Sequence, residues 1–151
     1  MLKASRAPRE RLRDDYVYHV TSTAVPAGTV NETRCTIETK GRSYTVLRKG
    51  LFAPEYQLKS DDAIVAVAAQ KPFVNTFRLV HHGKEWTFKA ISLRADRFGL
   101  FDGATPAGTV TSGSFANKFT DITVDLPDAL AVEVQLFVLL LAIRAWSQQA
   151  T

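Results

Sequence analysis

The chain is 151 residues long, 46% apolar, 10% aromatic and 23% charged, with a formal net charge of +4. That length suits one domain with a sizeable core, and the ordinary composition excludes disordered, collagen-like and disulfide-stapled chains. The single cysteine, Cys35, rules out an internal disulfide and a zinc site built from cysteines.

Residues 1–14 (MLKASRAPRERLRD) are polar, Arg-rich and broken by Pro8, and they read as a flexible basic tail ahead of a domain over 15–151. Lys3, Arg6, Arg9, Arg11 and Arg13 face only Glu10, Asp14 and Asp15 there, so the globular remainder is nearly balanced. Such a balance gives no reason to expect a nucleic-acid partner. No apolar run follows the cations, so no signal peptide is expected and the cytoplasm is the default compartment. The sequon Asn31-Glu32-Thr33 then carries no weight.

From residue 15 the chain reads as short strands with turn signals every eight to twelve residues, the pattern of an all-β sandwich or barrel. Tyr16, Tyr18 and Val20 alternate with Val17 and His19. Cys35 and Ile37 pair with Tyr44 and Val46 across Lys40-Gly41-Arg42. Tyr56 and Leu58 mark the next strand, and the β-branched run Ile64–Val67 a buried one. Phe73, Asn75, Phe77 and Leu79 lead to the turn His81-His82-Gly83-Lys84, and Trp86, Phe88 and Ala90 return from it. Phe98 and Leu100 precede Asp102-Gly103, a strong signal for a tight primed turn. A last strand spans 119–126, with Ile122, Val124 and Leu126 on one face. Ala24-Val25-Pro26-Ala27-Gly28-Thr29-Val30 returns eighty residues later as Ala104-Thr105-Pro106-Ala107-Gly108-Thr109-Val110. This echo reads as one device used twice, with Pro closing a turn and Gly permitting a bend.

The β pattern then stops at Pro127. Asp128 is a suitable N-cap for a helix over about 128–147, with Glu133 near its positive end and Arg144 near its negative end. Leu136 to Ile143 are eight consecutive apolar residues, which cover every face of a helix. A membrane span needs about 20 such residues, and a longer window takes in Asp128, Glu133, Gln135 and Arg144. The expected arrangement is therefore α+β but mainly β: a closed antiparallel barrel of about 10–12 short strands around a buried hydrophobic C-terminal helix. Leu136, Phe137, Leu140 and Ile143 are its core residues, and no integral membrane span is expected.

Short strands ending in a proline, an acidic residue and one greasy helix resemble the tubby C-terminal-like superfamily, which includes the phospholipid scramblases and the LURP-one-related proteins. The segments carrying the resemblance are Tyr44–Arg48, the strand pair around His82-Gly83-Lys84, Pro106–Val110 and Leu126–Trp146. The resemblance implies a barrel of about twelve strands around the helix, and a bacterial-type member that binds phospholipid. It does not carry over scramblase features, because this chain has no DxDxD-like calcium loop and no cysteine cluster.

Catalytic signatures are not found. GxSxG is missing, and Gly108 and Gly113 lack the lysine and following helix of a phosphate loop. His81 and His82, adjacent on a strand, point to opposite faces and so do not easily chelate one metal unless the turn rearranges them. Asp61-Asp62 reads as a solvated turn and Cys35 as a small strand residue. Neither an enzyme nor a cofactor is expected. The basic bias from Arg34 to Lys49 points elsewhere: Lys40, Arg42, Arg48 and Lys49 flank one hairpin and form a candidate patch for anionic phospholipid headgroups. Solubilising charge on a strand exterior is the other interpretation. The expected role is a non-enzymatic, cytoplasmic module that associates peripherally with membranes; the alternative is a soluble scaffold for a protein partner or small ligand.

Overall fold

A computed structural model of the chain describes residues 1–6, 16–22, 25–92, 96–113 and 121–149. Twelve strands form one closed antiparallel barrel: β1 (Leu2–Arg6), β2 (Val17–Ser22), β3 (Val25–Asn31), β4 (Thr36–Thr39), β5 (Arg42–Lys49), β6 (Glu55–Ser60), β7 (Ala63–Gln70), β8 (Thr76–His81), β9 (Lys84–Ala90), β10 (Arg97–Asp102), β11 (Thr105–Ser112) and β12 (Asp121–Asp125). Each strand pairs with its sequence neighbours, and β1 closes the ring against β12 with Leu2 opposite Val124. Helix α1 (Val132–Gln149) follows. At 1.5 Å per residue it is about 27 Å long.

Period-two patterning places one face of every strand inward. Tyr18, Ile37, Leu58, Leu79, Phe88 and Leu100 are among the residues withdrawn from water in this way. Between β6 and β7 large side chains face small ones, Tyr56 opposite Ala68 and Leu58 opposite Ala66, which leaves room inside that part of the wall. From Val134 to Ile143 every helical residue is buried, including Leu136, Phe137, Leu140 and Ile143, as are Ala145 and Trp146. The helix packs most closely on β3 and β4. A run of rings from Tyr56 through Phe77, Phe88 and Phe98 to Trp146 links four strands to it, with centroid spacings of 6.1, 6.2, 4.9 and 5.9 Å.

The basic tail needs correction. Residues 2–6 are not outside the domain but form β1, hydrogen-bonded on both sides, with Leu2 and Ala4 in the core. Leu2 and Ala4 already have strand spacing, which the surrounding cations disguise. The rest of the proposed tail lies outside the described residues, as do positions 119 and 120 of the expected last strand. Asp128 does not cap the helix: it sits in a turn where Leu130 N–H donates to Pro127 O, and α1 begins at Val132. Instead the Gln135 amide reaches back to the carbonyl of Leu130 at 2.9 Å, tying the linker to the first turns. Cys35, Phe73 and Asn75 lie in turns, outside the strands expected for them, and Ile64 is half exposed on the outer wall.

The repeated segment is one structural device. Tyr18 pairs with Val30 as Phe98 does with Val110, and the register slips after Val20 and again after Leu100. The prolines do not close turns; each lies within its strand, Pro26 opposite Thr21 and Pro106 opposite Phe101, just across the bulge. A bulge bends a strand and raises its twist, as a closing wall requires. Glycine is required next to it: a Cβ on Gly108 would stand 2.4 Å from the Asp125 carbonyl oxygen, and one on Gly28 2.5 Å from that of Glu38.

Candidate functional site

Strict up-and-down order gives the barrel two unlike ends. At one, β4–β5, β6–β7, β8–β9 and β10–β11 are joined by minimal hairpins, and the chain enters the helix. Lys40-Gly41 and His82-Gly83 both adopt positive φ at the two turn positions (53° and 73°; 51° and 73°), the backbone of a type I′ turn that matches strand twist. The other end carries the 32–35, 50–54 and 71–75 connections and the C-terminal end of α1.

The four predicted basic residues are divided between these ends. Lys40 and Arg42 lie at the hairpin end, where with Gly28, Glu38 and Ser43 they line an open cleft of about 420 Å³. Arg48 and Lys49 lie at the far end of β5, paired across the sheet with Tyr56 and Glu55. Six residues at about 3.4 Å each separate Arg42 from Arg48 by about 20 Å. The four therefore do not form one compact cluster.

At the loop end the structure supplies what the cation pattern did not signal. Leu51, Phe52 and Phe73 are 82%, 73% and 87% exposed, and Val74 is half exposed beside them. Two interlocked loops present them. Gln70 N–H donates to Pro54 O at 2.9 Å, the Gln70 amide holds Val74 O at 3.0 Å, and the Phe52 and Phe73 rings lie 6.4 Å apart. Phe73 takes φ 63°, a left-handed backbone that a bulky residue occupies only under strain, and its ring points to solvent. Gly50, at φ 91°, opens the other loop. Arg48 joins Leu51, Phe52, Pro54, Gln70 and Phe73 around a shallow cleft of about 190 Å³. Lys49 and Lys71 are exposed alongside, and none of these three cations makes an ion pair among the described residues.

Chemistry-bearing residues elsewhere are used structurally. His81 is buried with Nδ1 3.1 Å from Val65 O, and its ring is tilted against that of His82 with centroids 3.9 Å apart. That contact places the two rings together at the hairpin, contrary to the expectation that they point apart. Among the described residues no three histidine, cysteine or carboxylate groups converge on a metal-sized site. No helix of the described residues is long and apolar enough to cross a membrane. Comparison with known proteins finds no family model, no curated protein and no solved structure that matches this chain.

Proposed function

We propose that this protein is a non-enzymatic module that binds anionic phospholipid surfaces peripherally through the loop end of its barrel, at the cytoplasmic face of a membrane. The observation that carries the proposal is the cluster of Leu51, Phe52, Phe73 and Val74, held out to solvent by a tied pair of loops and bordered by Arg48, Lys49 and Lys71. Exposed apolar patches of this kind mark interaction sites. Apolar tips with a cationic collar suit the headgroup boundary, where the tips enter the acyl region and the cations face lipid phosphates. Burying these side chains contributes roughly 1.5–3 kcal/mol for each one fully withdrawn from water, and each cation adds about 1 kcal/mol near an anionic leaflet. The barrel interior is filled by α1, which leaves the outer surface for ligands. The role agrees in kind with the resemblance to the tubby-like and scramblase-like proteins.

Co-sedimentation with phosphatidylcholine vesicles, with and without phosphatidylserine, at low and moderate salt tests this. Binding to the anionic vesicles that weakens with salt is expected. Phe52→Asp with Phe73→Asp should abolish it, and Arg48→Glu with Lys49→Glu should weaken it strongly, whereas Lys40→Glu with Arg42→Glu should have little effect. Absence of binding to either vesicle refutes the proposal and leaves a soluble scaffold with a protein partner on the same apolar tips. Equal sensitivity to both charge reversals would refute the assignment to the loop end.

A further inference from the structure

We propose that Arg144, at the loop-end mouth of the barrel, anchors a second and separate site, one for a phosphate-type oxyanion. Arg144 is the only cation in α1 and follows the longest buried apolar run of the chain. The residue is half-buried. Nη1 donates to the Cys35 sulfur at 3.1 Å, and Nε is buried with no hydrogen-bond partner. No carboxylate pairs with Arg144 among the described residues. Glu32, in the turn that carries Cys35, offers only its backbone oxygen, 3.6 Å from the Cys35 sulfur.

A guanidinium withdrawn from water without an anion is costly, and a thiol is a weak acceptor that balances no charge. The helix dipole does not account for it either: Arg144 lies more than one turn before Gln149, and the last turn holds no cation, whereas dipole effects fade within that turn. Leucine or glutamine would fill the position at less cost. With Nη1 held on Cys35, the Nε–Nη2 edge is left; Nε is covered, so a phosphate that takes two parallel N–H bonds from that edge enters with a shift of the Arg144 side chain. The anion comes either from a free phosphate or from a lipid headgroup. The site does not depend on the apolar loops at 50–54 and 71–75.

Cys35, as the only cysteine, reports on its neighbour. The alkylation rate of Cys35 by iodoacetamide is measured on the full chain at constant ionic strength, with inorganic phosphate against chloride, and with phosphatidylcholine vesicles with and without phosphatidic acid. Phosphate should slow the reaction saturably. Arg144→Gln should weaken that effect at least about tenfold, the loss expected for a charge-assisted pair of bonds, and Arg144→Lys, which keeps charge but loses the fork, should weaken it as well. Slowing by free phosphate identifies a soluble ligand. Slowing only by phosphatidic acid vesicles, lost in Arg144→Gln while sedimentation persists, identifies a headgroup. No slowing in any arm, or equal slowing in Arg144→Gln, overturns the proposal. Line broadening of the phosphate phosphorus signal by Cys35→Ser, free of any thiol readout, gives an independent measure, and its absence overturns the proposal too. Failure here with vesicle binding intact leaves the membrane proposal standing, and the reverse outcome separates them equally well.

Discussion

Leu140→Asp tests whether α1 is the core of the barrel. Leu140 is fully buried, and its helical neighbours Leu136, Phe137, Leu141 and Ile143 bring only hydrocarbon. Losing the leucine side chain from a site that cannot collapse costs about 3–5 kcal/mol. An unpartnered carboxyl there stays protonated, and holding it so at neutral pH, against an unfolded pKa of about 3.9, costs about 4 kcal/mol more. The total of about 8 kcal/mol is comparable to the whole stability of an ordinary domain, about 5–15 kcal/mol. The folded pKa of the new carboxyl is raised, so the ionisation part of the penalty shrinks by about 1.4 kcal/mol for each pH unit lowered toward 4. Leu140→Ala carries only the packing part. Urea unfolding followed by circular dichroism and by the fluorescence of Trp86 and Trp146, both buried, should give a folded, weakened Ala variant. The Asp variant should be unfolded at neutral pH and partly recovered in mild acid. A cooperative transition for Leu140→Asp within about 1 kcal/mol of the parent would refute the buried-helix arrangement.

The paired bulges make a second claim. Gly108→Ala should cost about 1–3 kcal/mol in urea unfolding, because its Cβ meets the Asp125 carbonyl and the Leu126 backbone, which move only with the strand. Gly28→Ala should behave alike, and an unchanged midpoint in either would refute a close-approach role. Tyr18 is held protonated by burial, against the weaker opposing effect of Arg6, and its pKa is pushed up to about 12. Between its unfolded pKa near 10 and that value, the unfolded chain loses a proton that the native state keeps. Stability should therefore fall with rising pH by up to about 3 kcal/mol. Alkaline unfolding of Tyr18→Phe should lose that part of the slope; an identical slope would mean that Tyr18 ionises freely in the fold.

Much of the barrel is legible in the chain because its hairpins are local. Lys40-Gly41, His82-Gly83 and Asp102-Gly103 announce their turns, and the alternating residues beside them fix the register. Segments whose surroundings are set by distant contacts are less legible. Leu2 and Ala4 become core only because β12 and β2 flank them. Phe73 is apolar and four residues from Phe77, so alternation assigns it to a strand, whereas a left-handed backbone turns it outward. The four basic residues divide between the two ends for a metric reason, since sequence proximity along β5 hides the length of an extended strand. The apolar tips at the loop end carry no distinguishing pattern: Leu51, Phe52 and Val74 look like core residues until the loops are in place. Arg144 could be seen as a cation near a helix end, but its isolation beside Cys35, which precedes it by more than one hundred residues, could not.

The seam between β1 and β12 has a consequence in time. A ribosome delivers Leu2 long before Val124, its partner across the seam, and α1 comes later still. Until then the growing sheet has two open edges and an inner face with nothing to cover it. Joining the ends of so long a chain segment adds an entropic barrier that local hairpins do not face. Open edges beside uncovered apolar strands recruit one another, so chains that stall during synthesis, or lack the helix, should self-associate. Maturation of this barrel is therefore governed by β12 and α1, which are made after its other strands.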